Sequence, residues 1–153
     1  MINVKMTRDE AAQNLLKSAG YTKYHQGPRS DGPVFLADFA KQGCACSGTN
    51  LDRFIQPCIL SVLSDAALTS YEITKGLSKY AMFKEAPPDI TGIYRYIKRM
   101  EQNNLLRKTS YFDKAQNERN LYIITPRGTS CLKNWIKTLE AYKDSIDELI
   151  KML

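Results

Sequence analysis

The sequence has a single histidine and no long apolar segment. His25 is the only histidine among 153 residues, and its expected role is at the surface or in packing. A histidine metal site or a Ser-His or Cys-His relay is therefore hard to build, and we find no paired carboxylates and no phosphate-binding glycine loop, which argues against an enzyme. No apolar run approaches the roughly 20 residues that span a bilayer, and the first ten residues lack an apolar signal core. We therefore expect a soluble, cytoplasmic protein without membrane contact.

The charged and aromatic residues that are present indicate a folded, basic protein. Charged residues make up 25% and aromatic residues 10% of the chain, which excludes a disordered protein. The 22 basic residues outnumber the 16 acidic ones, so the formal net charge is +6. Half of this excess lies in residues 88–119, where 7 basic residues face 4 acidic ones. This local positive charge predicts a polyanionic partner.

Helical periodicity and turn signals predict a winged helix-turn-helix fold, mainly α with a small β-hairpin wing. Thr-x-x-Glu capping boxes open two of the helices, Pro57 starts or kinks another, and a polar link joins two strands rich in β-branched and aromatic residues. In chain order, the predicted elements are a helix from Thr7 to Gly20, a helix over residues 51–63, a helix from Thr69 to about Tyr80, a helix from Pro87 to about Asn103, strands at 105–112 and 120–125, and a helix from Pro126 onward.

This order of elements divides the chain into three parts. Residues 1–50 are an N-terminal extension with one helix and an irregular segment that contains cysteines. Residues 51–125 are the winged helix-turn-helix domain, and residues 126–153 are a C-terminal dimerisation helix. A chain of this length normally forms one compact domain. We therefore expect the extension to pack on the main domain without a core of its own.

The third predicted helix of the domain has two chemically different faces. Ile90, Ile93, Ile97 and Met100 share an apolar side that would hold the helix in the domain. The opposite side carries arginine, lysine, glutamine and tyrosine, which can contact base edges and phosphates. A solvated basic surface would show the same pattern, but the hairpin that follows adds donors around a projecting wing. The predicted DNA-contacting residues are Thr91, Tyr94, Arg95, Lys98, Arg99, Gln102, Lys108, Lys114 and Arg119.

Several motifs within residues 51–153 resemble the PadR family of bacterial transcriptional regulators. Gly92-Ile93-Tyr94-Arg95 is similar to the family's Gly-aliphatic-Tyr-Arg signature in the recognition helix. Met100-Glu101 with Leu105-Leu106 resembles its Leu-Glu-x-x-Gly-Leu turn into the wing. The stretch from Tyr122 to Gly128, Tyr-Ile-Ile-Thr-Pro-Arg-Gly, resembles its Tyr-x-Leu-Thr-Pro-x-Gly exit from the wing.

Two positions depart from the PadR pattern. Thr69-Ser70 stands where the family has His-Gly before Tyr-Glu, and this leaves the capping box intact. Asn104 stands where the family has glycine after the recognition helix, and asparagine tolerates the left-handed conformation. The resemblance implies a dimeric repressor with an unknown small-molecule effector. It also implies that operator DNA is contacted by Tyr94, Arg95, Lys98, Lys114 and Arg119.

The last predicted helix carries an apolar stripe with alternating spacings of three and four residues. The stripe is longer than a small winged-helix core can cover, so it predicts pairing with a second copy. The alternative is that this helix packs on the first helix of its own chain. In PadR-like proteins, which this chain resembles, the corresponding helix pairs with the first helix of the partner subunit. A two-fold dimer holds its recognition helices about 34 Å apart and reads an inverted repeat. The predicted interface residues are Leu132, Trp135, Leu139, Tyr142, Ile146, Leu149 and Leu153.

The four cysteines suggest a separate site. In a cytoplasmic chain they are predicted to be thiols and not a disulfide framework. Cys44 and Cys46 form a Cys-x-Cys pair that, together with Cys58, could hold a soft metal ion or act as a redox switch. In the alternative interpretation, Cys58 and Cys131 are small buried apolar residues and the pair is incidental.

Three hypotheses follow from these patterns. The leading one is a PadR-like transcriptional regulator, a repressor without a cofactor, that binds double-stranded DNA as a homodimer through the recognition helix 88–103 and the wing 105–125. The second is a metal- or redox-responsive regulator of the same fold, triggered through its cysteines. The third is a winged-helix module that binds protein instead of DNA.

Overall fold

A computed structural model describes residues 5–20, 44, 46, 54–84 and 87–153. Five α-helices, one antiparallel hairpin and a 3-10 turn at Ala81–Phe83 form most of these parts of the chain. This arrangement confirms the predicted, mainly helical winged helix-turn-helix. In chain order, the elements are α1 (Arg8–Ser18), α2 (Ile55–Val62), α3 (Ser70–Leu77), α4 (Ile90–Gln102), β1 (Leu106–Phe112), β2 (Glu118–Ile124) and α5 (Pro126–Met152).

Side-chain caps begin α1, α3, α4 and α5 close to their predicted starts, whereas α2 begins at Ile55 without a side-chain cap. Thr7 and Thr69 each accept a hydrogen bond from the backbone amide three residues on, and the glutamate at that position accepts one from the threonine amide. Asp89 and Thr125 accept comparable bonds from the first turns of α4 and α5. Pro57 lies in the first turn of α2, where a missing amide hydrogen breaks no helical hydrogen bond. Local chemistry therefore sets where these helices start.

The β-hairpin is covered by protein on both faces. In β2, Leu121 and Ile123 face α1, where they pack with Ala11 and Leu15. Tyr122 and Ile124 alternate with them and join the main core with α2, α3, α4 and α5. Because side chains of a strand alternate between its faces, the run Leu121–Ile124 is continuously buried. The hairpin is thus the layer between α1 and the rest of the domain.

The N-terminal helix is attached to the domain by a charged contact. The Arg8 guanidinium forms two bonds to the Glu72 carboxylate, at 2.9 and 3.0 Å, and a third to the Ala67 carbonyl at 3.1 Å. Although partial burial opposes ionisation, the Arg8 charge and the bonds at Thr69 lower the pKa of Glu72. The helix of the N-terminal extension therefore packs on the hairpin and is joined to α3 by the Arg8–Glu72 ion pair. Most of the predicted irregular segment, including His25, lies outside the described residues.

The connection between the wing and α5 requires a residue without a side chain in the first turn of α5. Gly128, in the first turn of α5, lies against the Leu105 backbone, and a Cβ at this position would collide with the Leu105 carbonyl oxygen and lie 2.7 Å from Ile124 Cγ1. Asn104 precedes this contact with a φ of 60°, the left-handed conformation that the turn after α4 was predicted to need. No helix in the described part of the chain is long and apolar enough to cross a membrane.

We predict that Gly128→Ala lowers the free energy of unfolding by about 1–3 kcal/mol, because the new methyl group meets a backbone oxygen that cannot rotate away. Gly92→Ala in α4 is the matched control, since its new Cβ meets only Asp89 Cβ at 4.0 Å. That control should be neutral or stabilising by up to about 1 kcal/mol. Denaturant unfolding of both variants provides the measurement, and equal effects would contradict the packing at Gly128.

Candidate nucleic-acid interface and thiol cluster

Helix α4 presents its basic face to solvent and its apolar face to the core. Ile93, Ile97 and Met100 are 1–2% exposed. Ile90 was predicted to share this side, but it is 56% exposed because it is the first residue of the helix and lies beyond the core contact. The six α4 residues predicted to contact DNA are all exposed; they are Thr91, Tyr94, Arg95, Lys98, Arg99 and Gln102.

The Asp113 carboxylate stabilises the turn of the wing through two hydrogen bonds. Asp113 Oδ1 accepts a hydrogen bond from the Asn117 amide at 2.9 Å, and Oδ2 accepts one from Arg119 Nε at 3.2 Å. These two contacts hold the pKa of Asp113 below its usual value. Lys114 lies exposed in the turn between the strands, while Lys108 on β1 lies 3.7 Å from a Glu101 carboxylate oxygen. The wing therefore places three exposed basic side chains beside α4.

Two grooves flank Tyr94 on this surface. A groove of about 390 Å³ lies between α4 and the hairpin, with Lys98 and Lys108 among its lining residues. A larger one of about 790 Å³ lies between α3, α4 and the wing, and Arg119 is among its lining residues. Tyr94 borders both grooves. The recognition helix, the hairpin and the start of α3 thus form one continuous surface.

Two exposed residues of α3 belong to this surface but are absent from the sequence predictions. Tyr71, which is 71% exposed, and Lys75 both line the larger groove. They are four residues apart, so they share one helical face, while Ile73 and Leu77 point into the core. The periodicity of this short helix contained the signal that could have identified them.

The predicted dimer stripe on α5 is exposed only over its second half. Leu132 and Trp135 are 5% and 1% exposed and belong to the core of their own subunit, with the Trp135 ring edge-on to Phe54 at 6.3 Å. The chain's own core packing therefore already covers these two predicted interface residues. Leu139 is partly buried on the same core. Residues 140–153 are all exposed, among them Tyr142, Ile146, Leu149 and Leu153.

The cysteines meet in a different combination from the predicted one. The sulfur atoms of Cys44, Cys46 and Cys131 all lie within 4.8 Å of one another, and those of Cys44 and Cys131 are 3.8 Å apart. Cys58 was predicted as the third member, but α2 turns it into the core, where burial raises its pKa to about 11. Cys131 takes this place because the first turns of α5 pack beside Cys44 and Cys46. All four cysteines are in the thiol form.

Polar side chains surround the thiol cluster. Gln56 Oε1 accepts a hydrogen bond from Trp135 Nε1 at 2.7 Å and lies 3.5 Å from the Cys44 sulfur. Asn134 Nδ2 donates to the Cys46 carbonyl at 3.0 Å and to its sulfur at 3.4 Å. Hydrogen bonds from the neighbouring thiols lower the pKa of Cys44 below its usual value, and the same coupling, together with burial, raises that of Cys131.

Comparison with known proteins relates this chain to transcriptional regulators. Residues 59–134, which are 76 of the 153, match the transcriptional regulator PadR-like family. The fold is similar to a PadR-like transcriptional regulator from Bacillus cereus, with 22% identity and a TM-score of 0.53 over 63% of this chain and 90% of that one. It is also similar to a PadR family transcription regulator from Clostridium difficile, with 22% identity and a TM-score of 0.53 over 64% and 99%. No curated protein matches this chain.

Proposed function

The chain belongs to the PadR-like family of transcriptional regulators, and from this premise we propose that it binds double-stranded DNA as a homodimer and represses transcription. The observation that carries the proposal is the exposed basic face of α4 beside a basic wing. An operator with two related half-sites in inverted orientation is the target that suits a two-fold dimer.

The charges on α4 support DNA as the partner. Within the described residues, none of Arg95, Lys98 and Arg99 forms an ion pair. Their charges are therefore available to phosphates and base edges, and phosphate contacts gain free energy from the release of counterions. Arg95 is the best candidate for reading a base, because a guanidinium can bond to both acceptors of guanine in the major groove.

The basic residues of the wing also support DNA binding. Lys114 extends from the turn, and the bond from Arg119 to Asp113 fixes the base of that turn. A turn that is already fixed loses less conformational entropy than a mobile turn when its basic side chains contact the DNA backbone. We assign Lys108, Lys114 and Arg119 to phosphate contacts and the α4 residues to both phosphates and bases.

The second half of α5 supports the homodimer. Tyr142, Ile146, Leu149 and Leu153 repeat at three- and four-residue spacing and are 39–95% exposed. This part of the helix is roughly 20 Å long, and a continuous apolar stripe of that length is unfavourable in water. A second copy of the chain covers it with an identical stripe, which is the usual arrangement in a two-fold interface.

The first prediction concerns DNA contact by α4. Lys98→Ala should weaken binding to a duplex that the wild-type protein selects from a random-sequence pool, and it should reduce the slope of log affinity against log salt by about one. Arg95→Ala should cost about 1–3 kcal/mol of binding free energy and relax sequence preference at one position. Fluorescence anisotropy at several salt concentrations provides both measurements.

Lys17→Ala is the matched control for these variants. Lys17 is also an exposed helical lysine, but it lies at the end of α1, on the opposite face of the hairpin from α4. Its substitution should leave affinity and salt slope nearly unchanged. Equal losses for Lys17→Ala and Lys98→Ala, or failure of the wild-type protein to select any duplex, would overturn the proposed DNA contact.

The second prediction concerns the dimer. Ile146→Glu should shift the protein from dimer to monomer in sedimentation experiments, because the dimer would bury a carboxylate on each side of its seam. Ala141→Glu is the control with the same charge change, since Ala141 is exposed on the same helix but outside the stripe. A wild-type protein that sediments as a monomer at micromolar concentration, or a dimer that persists in Ile146→Glu, would contradict the assignment of this stripe.

A further inference from the structure

The thiol cluster brings together distant parts of the chain. Cys44 and Cys46 come from the segment before α2, while Cys131 comes from the second turn of α5, and their sulfur atoms lie within 4.8 Å of one another. Cys46 and Cys131 are fully buried, and Cys44 is partly buried. The folded chain therefore gathers three thiols beneath its surface, away from the predicted DNA-binding face.

The spacing of the sulfur atoms suits a metal ion. A metal–sulfur bond of about 2.3 Å places ligand sulfurs roughly 3.8–4.0 Å apart in tetrahedral or trigonal coordination. The sulfurs of Cys44 and Cys131 are 3.8 Å apart, and the remaining separations do not exceed 4.8 Å. Small side-chain adjustments would therefore allow all three sulfurs to bind one ion.

The neighbouring polar groups resemble those that orient metal ligands. Asn134 holds Cys46 through both its carbonyl and its sulfur, and Thr138 donates a second hydrogen bond to the same carbonyl. Gln56 Oε1 faces Cys44 and Cys131 and is fixed by the Trp135 indole, which can only donate. Hydrogen-bonded partners of this kind set the orientation of metal ligands. Buried cysteines that act only as small apolar residues do not require such hydrogen-bonded partners.

We propose that Cys44, Cys46 and Cys131 bind one thiophilic metal ion per subunit, of the Zn²⁺ or Cu⁺ class, through three thiolates. Thiolates prefer soft and borderline ions to Mg²⁺ or Ca²⁺. Binding releases the thiol protons to solvent and leaves any further coordination position to water. This site is independent of DNA binding, so its absence would leave the proposed function intact.

Metal binding at this place would join the segment before α2 to α5. Cys46 contacts Asn134 and Thr138, which lie one turn apart on α5, and the exposed stripe begins at Tyr142, one turn further on. The ion would therefore hold the chain against α5 at the point where the helix leaves the core. This location makes the dimer helix the element most directly stabilised by the metal.

The test is metal titration of the full-length, reduced, metal-free protein. Cd²⁺ serves as the spectroscopic probe, because its thiolate complexes absorb in the ultraviolet; Zn²⁺ and Cu⁺ are measured in separate arms by competition with chromophoric chelators. We expect one ion per subunit and a higher melting temperature with metal. Cys44→Ser and Cys131→Ala should each reduce the Cd²⁺ absorption per bound ion, because one thiolate is lost, and weaken binding by at least about tenfold. Cys58→Ser is the matched control, because Cys58 is a buried cysteine outside the cluster, and it should bind like the wild type.

A further measurement needs no substitution. Bound metal should protect Cys44 of the wild-type protein from alkylation by iodoacetamide, as read by peptide mass spectrometry. The proposal is overturned by a wild-type protein that shows no thiolate absorption with Cd²⁺ and no protection of Cys44. It is equally overturned if the absorption and affinity are undiminished in both cluster variants, or fall in Cys58→Ser as they do in those variants.

Discussion

Four elements of the domain meet at the carbonyl groups of Asn104 and Leu105. The Thr125 hydroxyl donates to the Asn104 carbonyl at 2.6 Å, and the Thr125 amide donates to the Leu105 carbonyl at 3.0 Å. Gly128 packs on the same Leu105 backbone. The end of α4, the start of β1, the end of β2 and the start of α5 are therefore held at one place. Because α4 carries the basic face and α5 the apolar stripe, this contact sets the orientation of both surfaces.

That contact explains why such different surfaces coexist in a small domain. The first turns of α5 are buried with β2 and α2, so the helix leaves the core in a fixed direction, and the exposed part of its apolar stripe begins beyond Leu139. On the other side of the domain, α4 is held by Ile93, Ile97 and Met100, which frees its basic side chains for solvent. A rigid angle between the two helices is what a two-fold dimer needs to present paired recognition helices at a constant spacing.

Much of this architecture could be predicted from local sequence. The capping boxes at Thr7 and Thr69, the Thr-Pro start of α5 and the hairpin all involve residues within a few positions of each other, so short motifs specify them. The two faces of α4 follow from helical periodicity alone, apart from Ile90, which lies at the helix end beyond the reach of the core. The outward face of α3, with Tyr71 and Lys75, follows from the same periodicity.

Short sequence patterns could not predict the contacts between distant segments of the chain. An apolar repeat on α5 indicates that one face of the helix is buried. The repeat is the same whether that face packs on the chain's own core, as Leu132 and Trp135 do, or on another subunit. The membership of Cys131 in the thiol cluster likewise depends on how α5 packs beside residues almost ninety positions earlier. Spacing along the chain carries no information about that distance.

The sequence by itself determined the fold class, the starts of the helices that have side-chain caps and the basic face of the third helix of the domain, because each depends on interactions between near neighbours. Tertiary structure alone decided which part of α5 remains exposed, which cysteine completes the cluster, and that α1 is joined to α3 through Arg8 and Glu72. The scarcity of histidine excluded one kind of metal site at the outset. Only the packing of α5 brought three thiols together, because burial and proximity are properties of the folded chain.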